Sequence, residues 1–322
     1  MEDAAPGGGA AREPGYTPED LEALTASLDP AERARVIGAV GGLESLPLYQ
    51  VEVEVDWKAL RLRGRERIVY RNAEAKPLDE LYLRIYPNAP YLGPGRRVRI
   101  SDVKVRGRPV RPGWEHPPLV RLDLSPPLGP GRRVEVTLRF DAEVPRLAKD
   151  ATDLLAQGIS ELASLLAPAA GRTDYGTFAW GEGVMTLASW YPQVAARIRG
   201  DWDRGLPSGL GDAAFAEVSN VLVSVVAPAN VRAVSTGVEV GSVPAGERRR
   251  TTLAAAAVRE LGLVLTDRLR EAEARAGAIR VRGWHFREDS AAGSRALDTA
   301  VRALEVFSAR FGPYPYARTS WG

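Results

Sequence analysis

From Tyr49 onward the chain alternates apolar and polar residues with a period of two: Tyr49, Val51, Val53 and Val55 interleave with Gln50, Glu52, Glu54 and Asp56. Successive side chains of a strand point to opposite faces, so this run is a strand with one buried face and one wet face. The pattern returns at Leu60-Leu62, Glu66-Ile68-Tyr70, Leu81-Leu83-Ile85, Val98-Ile100, Val103-Val105, Val120-Leu122-Leu124 and Val134-Val136-Leu138-Phe140. Turn residues separate the runs at Arg106-Gly107, Pro112-Gly113, Pro126-Pro127 and Gly129-Pro130-Gly131. Many short strands with polar outer faces predict a mainly β fold, an antiparallel sandwich or saddle. Its first half is expected over about 45–145. Strands resume near Thr177 and over 218–226 and 231–240, closing the sandwich after about 265.

Other segments carry different signals. Thr17-Pro18-Glu19-Asp20 has the cap and acidic first turn of a helix, and Asp29-Pro30-Ala31-Glu32 opens a second one before Gly38. With the Gly- and Ala-rich start of the chain, they make 1–44 a leader with short helices. Leucines and Ile159 over 146–170 predict a helical insertion or an ordered loop ended by Pro168. Residues 251–276 are in conflict, because the alanines of 254–257 and the charged 268–275 stretch favour helix by propensity alone.

Composition removes several classes of function. The 322 residues contain 43 basic and 41 acidic side chains, a net charge of +2, so no concentrated cationic surface supports nucleic-acid binding. Apolar stretches such as 221–228 fall far short of a membrane span. No cysteine is present, which excludes disulfides, thiolate metal sites and cysteine nucleophiles. The start of the chain lacks the charged-then-apolar order of a signal peptide, and the compartment stays open between an exported protein whose signal was removed and a cytoplasmic one.

Towards the end, a helical stripe of Leu297, Ala300, Val301, Leu304 and Phe307, capped by Asp289 or Ser290, terminates at Gly312-Pro313. Before it stands the strand-like run Ala278-Ile279-Arg280-Val281-Arg282-Gly283-Trp284-His285-Phe286, and after it Phe311-Gly312-Pro313-Tyr314-Pro315-Tyr316. Together these segments resemble the start of the catalytic domain in the alanyl-aminopeptidase (gluzincin) family of zinc metallopeptidases. The resemblance extends back to about Leu48: 49–71 is similar to the family's opening strand pair, and Leu187-Ala188-Ser189-Trp190-Tyr191-Pro192 to its central aromatic-proline segment. Trp202, Gly211-Asp212 and 231–237 continue it in order. The resemblance implies strands, not helix, at 251–255 and 261–265. It also implies an amino-terminal β-sandwich over 45–267 and the start of an α/β thermolysin-like domain over 268–322.

The resemblance implies a full-length parent that hydrolyses peptides from the free amino end. A zinc-bound water would attack the scissile carbonyl, with a glutamate as general base. Zinc is thus implied for the parent, together with a downstream catalytic domain and a peptide substrate. The chain itself departs from that pattern. The family's acidic pair after the central proline is replaced by Gln193-Val194-Ala195-Ala196, and neither His-Glu-x-x-His nor the Gly-x-Met-Glu-Asn type motif occurs. His116, in a proline-rich loop, and His285, on a predicted strand, are widely separated in sequence and read as a loop residue and a packed histidine. No metal ligand is therefore assigned, and the chain alone is expected to bind no catalytic zinc and to show no turnover.

In the family, a Gln or Glu shortly before the central proline helps to hold the substrate's free amine. Counting back from Pro192 reaches Gly183, beside Glu182, which makes Glu182 the candidate substrate-binding residue; a solvated turn carboxylate is the plain alternative. Arg248-Arg249-Arg250 and Arg96-Arg97 read as solvated turn charges, and Trp180, Trp190, Tyr191 and Trp202 as core or interface packing. A stand-alone β-sandwich interaction module is the rival to the peptidase reading. The helix stripe is expected to find only partial cover on the sandwich.

Overall fold

A computed structural model describes residues 13–93, 95–147, 176–207 and 214–321. Its main layer is an eight-stranded sheet in the order Val238–Ala245, Arg248–Val258, Ser219–Pro228, Leu48–Asp56, Arg61–Arg71, Arg133–Glu143, Val98–Val105 and Arg108–Pro109. Neighbours are antiparallel except at the centre, where Leu48–Asp56 runs parallel to Ser219–Pro228. Two four-stranded sheets cover the inner face. One orders Arg232–Ser235, Leu263–Thr266, Val184–Leu187 and Phe178–Gly181; the other orders Gln193–Val194, Leu78–Arg84, Leu119–Leu128 and Gly113–His116. A single buried apolar cluster joins all three sheets, with Val51 and Leu62 from the large sheet, Leu83 from one small sheet and Met185 from the other.

The expected alternation is realised in Leu48–Asp56, where Tyr49, Val51, Val53 and Val55 are buried and Glu52, Glu54 and Asp56 are exposed. On the wet face the register sets Glu52 beside Arg65, Glu54 beside Arg63 and Asp56 beside Arg61. Cross-strand opposite charges favour this register over a one-residue slip, which would drive the same charges into the core.

Helix α1 (Pro18–Thr25) starts with a reciprocal cap: the Thr17 hydroxyl accepts the Asp20 N–H at 3.1 Å, and the Asp20 carboxylate accepts the Thr17 N–H at 2.9 Å. Helix α2 (Arg33–Ala39) follows, and Leu24, Leu28, Val36 and Leu43 close over Leu48, Val69 and Ala256 on the outer face of the large sheet. This packing explains the alanines of 254–257. They lie in strand Arg248–Val258, and Ala256 donates its N–H to the Ser27 hydroxyl just after α1, at 3.0 Å. Small side chains let the helix approach the sheet closely, and tertiary pairing overrides the helical propensity of alanine. The segment expected over 146–170 lies, from residue 148 onward, outside the described residues.

Beyond Thr266 the chain forms a smaller unit. Arg270–Ala276 and Ile279–His285 make an antiparallel hairpin, Arg318–Trp321 joins it in parallel, and helix α3 (Ser290–Phe311) packs on one face. The charged 268–275 stretch is therefore largely strand, its Ala272, Ala274 and Ala276 turned towards the helix and its glutamates away. Leu297, Ala300 and Leu304 are buried there with Val281, so this hairpin, rather than the sandwich, covers the helix stripe. Phe307 departs from the expected stripe: it is 58% exposed, its ring tilted against that of Phe311 with centroids 6.0 Å apart, and Phe311 is itself 81% exposed. Asp289 occupies the cap position of α3 without a side-chain capping bond.

Candidate functional site

Glu182 sits at the tip of the hairpin joining Phe178–Gly181 to Val184–Leu187. Both turn residues are left-handed, Glu182 with φ 53° and Gly183 with φ 79°, the conformation a two-residue hairpin demands. Glycine is needed at 183 for a second reason. A Cβ there would lie 2.7–2.8 Å from the Arg268 side chain and from the Asp267 carboxylate. Arg268 thus lies across the turn, its guanidinium 3.2 Å from the Glu182 carboxylate and 3.0 Å from that of Glu288. It also stands over the Phe286 ring, 5.0 Å from its centroid. Glu182 is exposed, and its charge is already matched by a cation that bridges the sandwich to the hairpin–helix unit.

The hairpin runs directly into the central aromatic segment. Ser189 takes a left-handed backbone, φ 45°, held by Glu260, whose carboxylate accepts both its N–H, at 2.9 Å, and its hydroxyl. Trp190 and Tyr191 then enter the core and are fully buried. The Trp190 indole donates to the Leu261 carbonyl at 3.1 Å, and the Tyr191 hydroxyl accepts the Leu261 N–H at 3.3 Å. Trp180 and Trp202 lie half-buried at the rim of that core. These aromatics are packing residues. A groove of about 350 Å³ opens on the outer side of the same small sheet, lined by Thr186, Val234, Thr236, Leu263 and, from the hairpin, Trp284; Glu182, at the far end of its hairpin, does not line it.

The two histidines are on different sheets. His116 is the exposed last residue of the short strand Gly113–His116, so it belongs to a sheet edge and not to the expected loop. His285 ends Ile279–His285 as expected, with its ring against Gly293 of α3, where an added Cβ would lie 2.5 Å from the ring. Among the described residues no three His, Cys, Asp or Glu side chains stand close enough to hold a metal ion. The arginine clusters are used locally: Arg248 donates to the Val55 and Val226 carbonyls at 2.9 Å, Arg250 donates to the Ser224 hydroxyl at 2.9 Å, and Arg96 stacks on Trp114. Among the described residues no helix is long and apolar enough to cross a membrane.

Sequence reasoning missed Arg268, Glu288 and Glu260, because each acts across a long sequence separation. It also passed over Glu66, a carboxylate on the inward phase of its own strand, and that signal was legible in the alternation.

No protein-family model and no curated protein sequence matches the chain. Solved structures do match. The M1 zinc metallopeptidase of Deinococcus radiodurans, as a mutant bound to a Tyr-Ser-Ala substrate, superposes with a TM-score of 0.53 at 17% identity, covering 86% of this chain and 55% of its own. Another structure of the enzyme from that organism gives 0.53 at 16% identity, covering 87% and 57%. A two-domain M1 zinc metallopeptidase mutant bound to L-tryptophan gives 0.53 at 16%, covering 86% and 56%. The β architecture of this chain is that of the amino-terminal domain of M1 zinc metallopeptidases. The chain spans little more than half the length of these structures.

Proposed function

We propose that the chain is the N-terminal portion of a zinc-dependent, aminopeptidase-like metallopeptidase that acts on peptides from their free amino end. The observation that carries the reading is the superposition of 86% of this chain on 55% of an M1 zinc metallopeptidase. In this reading 45–267 is the β-sandwich domain and 268–322 begins the thermolysin-like domain. The separate apolar cluster of α3 and its hairpin supports that division. The sandwich supplies one wall of the substrate cleft. In this reading the zinc ligands and the general base are supplied by the catalytic domain of the full-length parent.

Glu182 keeps a role only as a contact for the substrate's amine, an ammonium group that a carboxylate would pair with directly. Arg268 occupies that carboxylate, so the ammonium must displace a guanidinium to reach it.

The test is to read the coding sequence past Gly322 and to express both lengths of protein. A His-Glu-x-x-His motif within about a hundred codons, with zinc retention and hydrolysis of aminoacyl amides by the longer protein, is the expected result. An immediate stop codon would instead support the stand-alone interaction module.

A further inference from the structure

Glu66 lies on the inward face of strand Arg61–Arg71, opposite Val51 on one side and Leu138 on the other. It is 3% exposed, and neither carboxylate oxygen meets a hydrogen-bond partner among the described residues. An unsatisfied buried carboxylate is strongly disfavoured. Burial accordingly pushes this carboxyl well above its ordinary value, with no cation to offset the effect.

The groups facing it are neutral or acidic. Tyr49, diagonally across on the adjacent strand, and Tyr191, whose ring stands 5.7 Å from that of Tyr49, feel its charge; Glu217 acts in the same sense on Tyr49, and Glu260 does so on Tyr191. Strand Arg133–Glu143 turns Val136, Leu138 and Phe140 inward, and the opposing sheet contributes Leu81 and Leu83.

Both tyrosines are anchors. The Tyr49 hydroxyl accepts the Val194 N–H at 3.0 Å, and the Tyr191 hydroxyl accepts the Leu261 N–H at 3.3 Å; their rings stand 5.7 Å apart. They hold the end of the 189–194 segment and the approach to strand Leu263–Thr266. Each hydroxyl also carries a proton that an ionised carboxylate would attract.

We propose that Glu66 is a pH-operated latch on the 189–194 segment. Neutral, it leaves the aromatic core closed and the tyrosines on their backbone anchors. Ionised, it recruits water or the tyrosine hydroxyls, and either change pulls Tyr49 and Tyr191 away from Val194 and Leu261. The hairpin bearing Glu182 runs into this segment, so the loosening reaches it.

In the unfolded chain the carboxyl titrates near 4.5. A native value above that makes stability fully present below the unfolded value, progressively lost as pH climbs towards the native value, and level beyond it. The test compares urea unfolding of the wild type and Glu66→Gln at about pH 5 and about pH 8, where each unit of pKa difference is tenfold in the folding constant. The wild-type constant should fall at least about tenfold further than that of Glu66→Gln over this interval. Amide exchange at Val194 and Leu261, corrected for base catalysis, should accelerate in the wild type alone. Equal pH slopes, or equal acceleration in both proteins, overturn the latch. Should Glu66→Gln fail to fold, the carboxyl ¹³C shift of Glu66 in the wild type decides: a midpoint above about 6 supports the proposal, and one at the ordinary carboxylate value overturns it.

Discussion

Trp190 and Leu304 are both apolar anchors, in very different surroundings. Trp190 is enclosed by Phe140, with ring centroids 6.1 Å apart, and by Tyr191 at 5.2 Å, and its indole N–H is bonded. Leu304 lies under one hairpin, and the following turn of its helix carries Phe307 into solvent. The sandwich covers its own apolar surface from three sheets, whereas the hairpin–helix unit covers one side of α3. The contrast teaches that the first region is energetically self-contained, while the second retains a face that nothing among the described residues covers.

Trp190→Ala should test the first half of that contrast most severely. Loss of a fully buried indole is expected to cost about 3–5 kcal/mol in urea unfolding, with the whole sandwich affected. A cost under about 1 kcal/mol would erase the distinction. Leu304→Ala should cost less, about 2–3 kcal/mol, and the damage should be local. Hydrogen exchange should show lost protection in Ile279–His285 while Leu48–Asp56 keeps its own; matching losses in both would make the two regions one cooperative unit.

Arg268→Ala probes the joint between them. Its pairs with Glu182 and Glu288 are largely exposed, so the stability change should stay under about 1 kcal/mol. A double-mutant cycle with Glu182→Ala that returned about 2 kcal/mol or more of coupling would show the joint to be a structural element. The double substitution Phe307→Ser with Phe311→Ser should be the mildest, within about 0.5 kcal/mol. Light scattering should show reduced self-association, and unchanged scattering would mean that the exposed face is inert.

Much of the fold was legible because a strand's side-chain period reports burial directly. Tyr49, Val51, Val53 and Val55 are inward as read, and 251–257 is strand although its alanines favour helix in isolation. The site was far less legible. Glu182 is placed on a turn by its glycine neighbours, yet its ionic partner lies 86 residues further on, at a distance no local pattern records. The exposure of Phe307 was hidden for the same reason, since helical spacing shows which residues share a stripe but not how far along it the cover extends.

The sequence by itself determined the inward and outward faces of the strands, the cap of α1 and the end of α3, because these depend on side-chain alternation and on backbone preferences acting within a few residues. Only the tertiary structure decided that Leu48–Asp56 lies parallel to Ser219–Pro228, that Arg268 crosses the Glu182 turn, and that Glu66 is enclosed with two anchoring tyrosines. Those outcomes depend on which distant surfaces meet, and on the cost of desolvating whatever charge is caught between them.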